Sequence, residues 1–248
     1  MAEADIEVLV APNPGPLTLE GTNTYLVGRD PTVVIDPGPR DEGHVEAIRA
    51  AARERGGIGR VLLTHGHEDH SGGIELLDVT PTTIPDGESH DGIAAVATPG
   101  HAADHVCFLL APGHPAAPDA IGTICFSGDL ILGEGSTIVP PAAQGGSLAD
   151  YMRSLRKLAA LDLELIYPGH GPVIMDPAAK VAEYIEHRES RERRLVAALK
   201  RGERSRIALL AEVWDDVPAE LRPMAAYALQ AHLDKLGEEG RLPGDLSE

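Results

Sequence analysis

Four side chains of metal-binding type fall within six residues, His65-x-His67-x-Asp69-His70, directly after the apolar run Val61-Leu62-Leu63-Thr64. Side chains two apart at the end of a strand and in its loop point to one side, so this spacing gathers imidazoles and a carboxylate. The arrangement recurs at three other places: AAVATPG leads to His101, ICFSG to Asp129 and LELIYPG to His170. Each is an apolar run, a glycine turn and one ligand-type residue, and strand-end loops are where scaffolds place reactive groups.

These five imidazoles and two carboxylates suffice for two divalent metals that share one carboxylate and leave room for water. Nitrogen and oxygen donors without thiolate suit Zn2+ best, with Mn2+ or Fe as alternatives. Two such ions about 3.5–4 Å apart hold a bridging hydroxide and lower its pKa from ~15.7 towards ~7, which makes it the nucleophile of a hydrolysis. Asp36 ends the strand Val33-Val34-Ile35 before Pro37-Gly38. It is the candidate outer partner for the second N–H of a metal-binding imidazole, with a turn-forming role equally open. The other six histidines carry no such pattern. His44, His90, His114, His187 and His232 read as surface or packing residues, and the apolar run after His105 favours a core position over one beside the cleft.

Elements able to position these residues follow from periodicity. IEVLV, TYLVG, TVVID, RVLLT and AAVAT read as short strands in the first part of the chain, and CFLLA, TICFSG and LELIYPG in the second. His44 to Arg55 reads as a helix stopped by Gly56-Gly57, and SLADYMRSLRKLAAL as an amphipathic helix capped by Ser147. From Asp176 the strand signal vanishes; DPAAKVAEYIEHRESRERRLVAALKRG reads as a long helix, with RSRIALLAEVW and AELRPMAAYALQAHLDKLGEEG as two more and Arg241-Leu242-Pro243 as a short extended end. The boundary is placed inside the long helix, giving a catalytic domain over 1–187 and a C-terminal domain over 188–248.

The 248 residues carry a net charge of −18, which argues against a surface coated in phosphate-binding groups. The stretch His187–Arg206 is the exception, with eight of the 21 basic residues against three acids. It reads first as a solvated helix face that pairs with the acidic body, and second as a substrate-steering patch. Arg188 and Arg191 in it are the candidates for substrate contact. The start Met-Ala-Glu-Ala-Asp lacks the basic residues of a signal peptide, and no apolar run approaches the ~20 residues that span a bilayer. Cys107 and Cys125 lie in apolar runs and read as core residues. A cytoplasmic protein with no membrane partner is therefore expected.

Through THGHEDH, TPGH, SGD and YPGH in that order, the chain resembles the metallo-β-lactamase superfamily over residues ~5–187. The resemblance implies a mixed α/β fold, an αββα sandwich with metals at one edge of its sheets. It implies His65, His67 and His101 on a first metal, Asp69, His70 and His170 on a second, Asp129 between them, and Asp69 as the residue that orients the nucleophile or handles protons. LTLEGTNTYLVG, PGHGPVI, EYIEHRESRE and VWDDVP…AHLDKLGEEGRL are similar to the lactamase-β-2-like endoribonuclease group, whose tail is a small winged-helix-like helical domain. That similarity implies cleavage of single-stranded RNA, with a small thioester, ester or lactam as the alternative substrate. Antibiotic-hydrolysing members generally lack the bridging aspartate, so Asp129 points towards the thioesterase and nuclease branches. Sequence-specific DNA is not an expected partner, because the chain carries few Lys or Arg from Leu209 onward.

Overall fold

A computed structural model of the protein describes residues 5–218 and 221–246. The acidic start Met1–Ala4 and the expected beginning of the last helix at Ala219-Glu220 lie outside the described residues. The first sheet has the spatial order β1 (Ile6–Val10), β2 (Asn23–Val27), β3 (Thr32–Ile35), β4 (Ile58–Leu62). Its first two pairings are antiparallel and its last parallel, which requires a crossover, supplied by helix α1 (Glu42–Arg53). The helix begins two residues before the expected His44, because the Asp41 side chain accepts from His44 N at 2.7 Å and caps it.

Two short helices, α2 (Glu68–Ser71) and α3 (Gly73–Leu77), follow β4. The second sheet runs β5 (Ser89–His90), β6 (Ile93–Ala97), β7 (Val106–Leu110), β8 (Thr123–Gly128), β9 (Leu163–Pro168). It repeats the plan of the first: antiparallel pairs, then a parallel pair, β8 and β9, joined through α4 (Leu148–Ala159). Ser147 caps α4 by accepting from Asp150 N at 3.2 Å. Because β8 and β9 are parallel, their C-terminal ends share one edge, and Asp129 and His170 emerge there side by side.

The strands are buried between layers. Leu26, Val34 and Val61 pack on Val45, Ile48 and Ala52 of α1, while Tyr25, Ile35 and Leu62 meet Phe108, Ile124 and Phe126 between the sheets. Cys125 and Ile166 pack on Tyr151 and Leu155 of α4 and on Val181 and Tyr184 of α5 (Pro177–Lys200). The result is helix, sheet, sheet, helix. The end of α5, Leu195 and Leu199, instead packs with α6 (Arg206–Val213) and α7 (Arg222–Glu238) around Leu209, Val213, Leu229 and Leu233. One continuous helix thus belongs to both cores and runs through residue 187 without a break. Among the described residues, no helix is long and apolar enough to cross a membrane.

Candidate metal centre

The loop after β4 carries His65 and His67, and the His67 residue, in extended conformation, starts α2, which carries Asp69 and His70. His65 Nε2 and His101 Nε2 lie 2.9 and 3.0 Å from His67 Nδ1, so three imidazole nitrogens converge. His170 Nε2 and His70 Nε2 lie 3.3 and 3.6 Å from Asp69 Oδ2. Asp129 stands between the two groups: Oδ1 is 3.3 Å from both His70 Nε2 and His170 Nε2, and Oδ2 is 3.6 Å from His101 Nε2. Within His65–His67–His101 and within Asp69–His70–His170, one donor atom per residue falls inside 4.8 Å of the others. The structure therefore brings together all seven residues that the sequence singled out.

Three rings are aimed from behind. His101 Nδ1 donates to Ile138 O at 2.7 Å, His170 Nδ1 to Gly21 O at 3.1 Å and His70 Nδ1 to the Asp36 carboxylate at 2.9 Å. Each contact turns the other ring nitrogen to the centre. Asp36 is 2 % exposed, takes the left-handed backbone at φ 52° and also accepts from Thr64 N and Thr64 Oγ1, both at 2.7 Å. It thereby serves the turn and the imidazole at once. His44 has a partner after all: its Nε2 is 2.8 Å from Thr24 Oγ1, which donates to Asp36 O at 2.6 Å. His105 is buried behind the cluster, its ring 5.2 Å from that of His65 and its Nδ1 2.9 Å from Thr98 Oγ1. Gly169 lets the chain pass close, since a Cβ there would sit 2.6 Å from Asp129 Oδ1 and 2.7 Å from His70 Cε1.

Charge in the cluster is unusual for a buried place. Burial alone would keep His170 neutral, yet the Asp129 and Asp69 carboxylates outweigh it and push its pKa up to about 9. Burial opposes ionised Asp129 as well, and His70 and His170 overcome it and hold the carboxyl well below its usual range. His65 goes the other way, driven down by burial and by the neighbouring His70. His70 Nε2 and Asp129 Oδ1 are buried with no hydrogen-bond partner among the described residues, and an unmet buried polar atom costs about 1–3 kcal/mol. An unmet inward nitrogen facing ionised carboxylates fits a divalent cation.

The metallo-beta-lactamase superfamily model matches residues 17–85 and 83–170, and the beta-lactamase associated winged helix model matches residues 208–242. The chain belongs to the metallo-beta-lactamase superfamily. It is 36% identical to lactamase-like protein adaB of Aspergillus niger over 93% of this chain and 79% of that one. Identity is also 36% to a beta-lactamase-like protein 2 homolog of Caenorhabditis elegans, over 92% of this chain and 82% of that one. An atrochrysone carboxyl ACP thioesterase of Aspergillus fumigatus is 36% identical over 78% of this chain and 64% of that one. Among solved structures, the metallo-beta-lactamase family protein TTHA1429 of Thermus thermophilus superposes with a TM-score of 0.73 at 24% identity, covering 95% of this chain and 94% of that one. TTHA1623 in a di-iron-bound form gives a TM-score of 0.51 at 27% identity over 69% of this chain and 96% of that one. The chain is a metal-dependent hydrolase of this superfamily, with the winged-helix-type domain at its C-terminal end.

In this superfamily member the cluster floors a cleft of about 590 Å³. Its far wall comes from the C-terminal domain: Trp214, Val217, Leu221, Met224 and Tyr227. Sequence reasoning missed these residues, because their apolar spacing signals only helix packing; the single tryptophan was the one available hint. His187, read as a packing residue, also lines the cleft. Arg188 and Arg191 border it but are 5% and 7% exposed and tied to protein: Arg188 to Ser136 Oγ at 3.0 Å, Arg191 to Asp216 Oδ2 at 2.7 Å. Their neighbours pair likewise, Arg194 with Asp215 at 2.6 Å and Arg201 with Glu212. A second cavity, about 660 Å³ between α4, α5 and α7, contains none of the converging residues.

Proposed function

We propose that the protein hydrolyses a carboxylic thioester or ester with an apolar acyl portion. In this reading His65, His67 and His101 hold one divalent metal and Asp69, His70 and His170 a second, with Asp129 between them. Zinc suits the donor set, with manganese or iron as alternatives; the two-iron relative supports the pairing. The observation that carries the substrate reading is the cleft itself, a floor of imidazoles and carboxylates facing an apolar wall headed by Trp214 and Met224. The thioesterase named among the relatives is the supporting comparison.

The ions, when bound, supply Lewis acidity at the scissile carbonyl and an acidified water. The wall binds the acyl portion and excludes solvent, which strengthens every charge interaction on the floor. Asp69, with a side chain 30% exposed against 11% for Asp129, reaches the cleft most freely and is the carboxylate placed to orient the attacking water and take its proton. His187 is pushed down to about 4 by burial and by Arg188 and Arg191, so it is neutral at pH 7 and donates no proton there. A thiolate leaves without one, since a thiol has a pKa of only about 8.5.

Cleavage of single-stranded RNA is the second reading. It draws on the group resemblance and on the basic stretch of α5. It ranks second because Arg188, Arg191 and Arg194 of that stretch are engaged with carboxylates, a hydroxyl and a carbonyl of the protein itself. The two buried cysteines are free, which supports a cytoplasmic setting. The test is a panel on metal-loaded protein: aryl-acyl and alkyl-acyl thioesters, S-lactoylglutathione, nitrocefin and labelled single-stranded RNA. Thioester turnover at about 1–10³ s⁻¹, abolished by Asp69→Ala, is expected; RNA cleavage without thioester turnover reverses the order of the two readings.

A further inference from the structure

The segment from Leu130 to Ile138 joins Asp129 to the carbonyl that orients His101, and α4 and α5 grip it from below. Tyr151 Oη donates to Leu130 O at 2.7 Å, and Leu132 N donates to Tyr184 Oη at 3.0 Å. Arg188 donates to Ser136 Oγ at 3.0 Å and to Thr137 O, with its guanidinium 5.4 Å from the centre of the Tyr151 ring. The very next carbonyl, Ile138 O, accepts from His101 Nδ1 at 2.7 Å, and Thr137 Oγ1 lies 3.4 Å from that nitrogen. We propose that Arg188 is a positioning residue of the centre: by holding Thr137 it fixes the Ile138 carbonyl, which keeps His101 in its Nδ1–H form with Nε2 facing His67.

This assignment replaces a substrate contact with an indirect role, and it rests on the reading of His101 as a metal ligand. One terminal nitrogen, Nη2, bridges two adjacent residues while the guanidinium stands over an aromatic ring, a combination that a lysine ammonium does not reproduce. Arg191, on the same helix and equally buried, donates instead to Val213 O and to Asp216 Oδ2 at 2.7 Å. It ties α5 to the C-terminal helices and touches no segment that carries a metal-type residue, so it is a control built into the molecule.

The experiment compares the full chain with Arg188→Met, Arg188→Lys and Arg191→Met. Zinc affinity is read by chelator competition, and the His101 tautomer by ¹⁵N imidazole spectra of metal-free protein. Arg188→Met is expected to lose about 10–100-fold in zinc affinity, as loss of outer support does elsewhere, and to show His101 as a mixture of tautomers. Arg188→Lys falls between it and wild type. Arg191→Met lowers the melting temperature but leaves affinity within about twofold and the tautomer unchanged, since additive, distant sites do not couple. Wild-type affinity and tautomer in Arg188→Met overturn the proposal, as does an equal loss in Arg191→Met. Should Arg188→Met not fold, unchanged affinity and tautomer in Arg188→Lys overturn it. A wild type that binds no zinc defeats the metal reading, while the tautomer arm still judges the clamp.

Discussion

Replacing Asp36 by Asn changes an oxygen to an amide and leaves shape nearly intact, and Asn also tolerates the left-handed backbone that Asp36 adopts at φ 52°. The hydrogen bonds cannot survive. Oδ1 accepts from Thr64 N, while Oδ2 accepts from both Thr64 Oγ1 and His70 Nδ1. With the amide nitrogen towards His70, the imidazole must move its proton to Nε2, the atom that faces Asp129. With the amide flipped, two N–H groups confront each other at Thr64. The first arrangement costs metal affinity, about 10–100-fold or roughly 1.4–2.7 kcal/mol; the second leaves a buried donor unmet, at about 1–3 kcal/mol of stability. Chelator competition, paired with thermal unfolding in EDTA and with saturating zinc, separates them. Asp36→Asn with wild-type affinity and wild-type melting in both conditions refutes the reasoning about how His70 is held.

Gly169→Ala adds one carbon 2.6 Å from Asp129 Oδ1, so the protein is expected to fold yet to bind metal at least about tenfold more weakly by calorimetric titration. Trp214→Ala truncates the bulkiest side chain that lines the apolar wall; KM for an aryl-acyl thioester is expected to rise about tenfold or more with metal content unchanged, and equal KM values speak against the wall as the acyl site. His232 is held down to about 3 by burial and by Arg188 and Lys235, whereas an unfolded chain takes up that proton near pH 6.5. Between those values the unfolded state binds more protons, so stability falls as pH drops from about 6.5 towards 3, by up to about 5 kcal/mol. Urea midpoints across that range should fall less steeply for His232→Phe than for wild type.

Much of the centre was legible because His65, His101, Asp129 and His170 each follow a strand whose apolar run is plain in the sequence, and β8 and β9 deliver Asp129 and His170 to one edge by being parallel. The short helix α2 was not legible: Glu68–Ser71 has no apolar periodicity, and its residues are of metal-binding type. Asp36 could be named but not decided, since a turn and an imidazole partner call for the same carboxylate before Pro37-Gly38. The cleft wall escaped because Trp214 and Met224 belong to different elements that only tertiary packing brings above the cluster. Arg188 and Arg191 were indistinguishable as letters in one basic helix, and only their partners separate them.

In the proposed reading, two groups of side chains joined through Asp129 hold a pair of catalytic metals. Metal content measured by mass spectrometry on the native chain and on His67→Ala, alongside turnover of the substrate panel, tests it most directly. About two divalent ions per wild-type chain are expected, with a folded His67→Ala that has lost metal and activity together. A folded, active wild type free of metal, or a His67→Ala variant that keeps both, contradicts it.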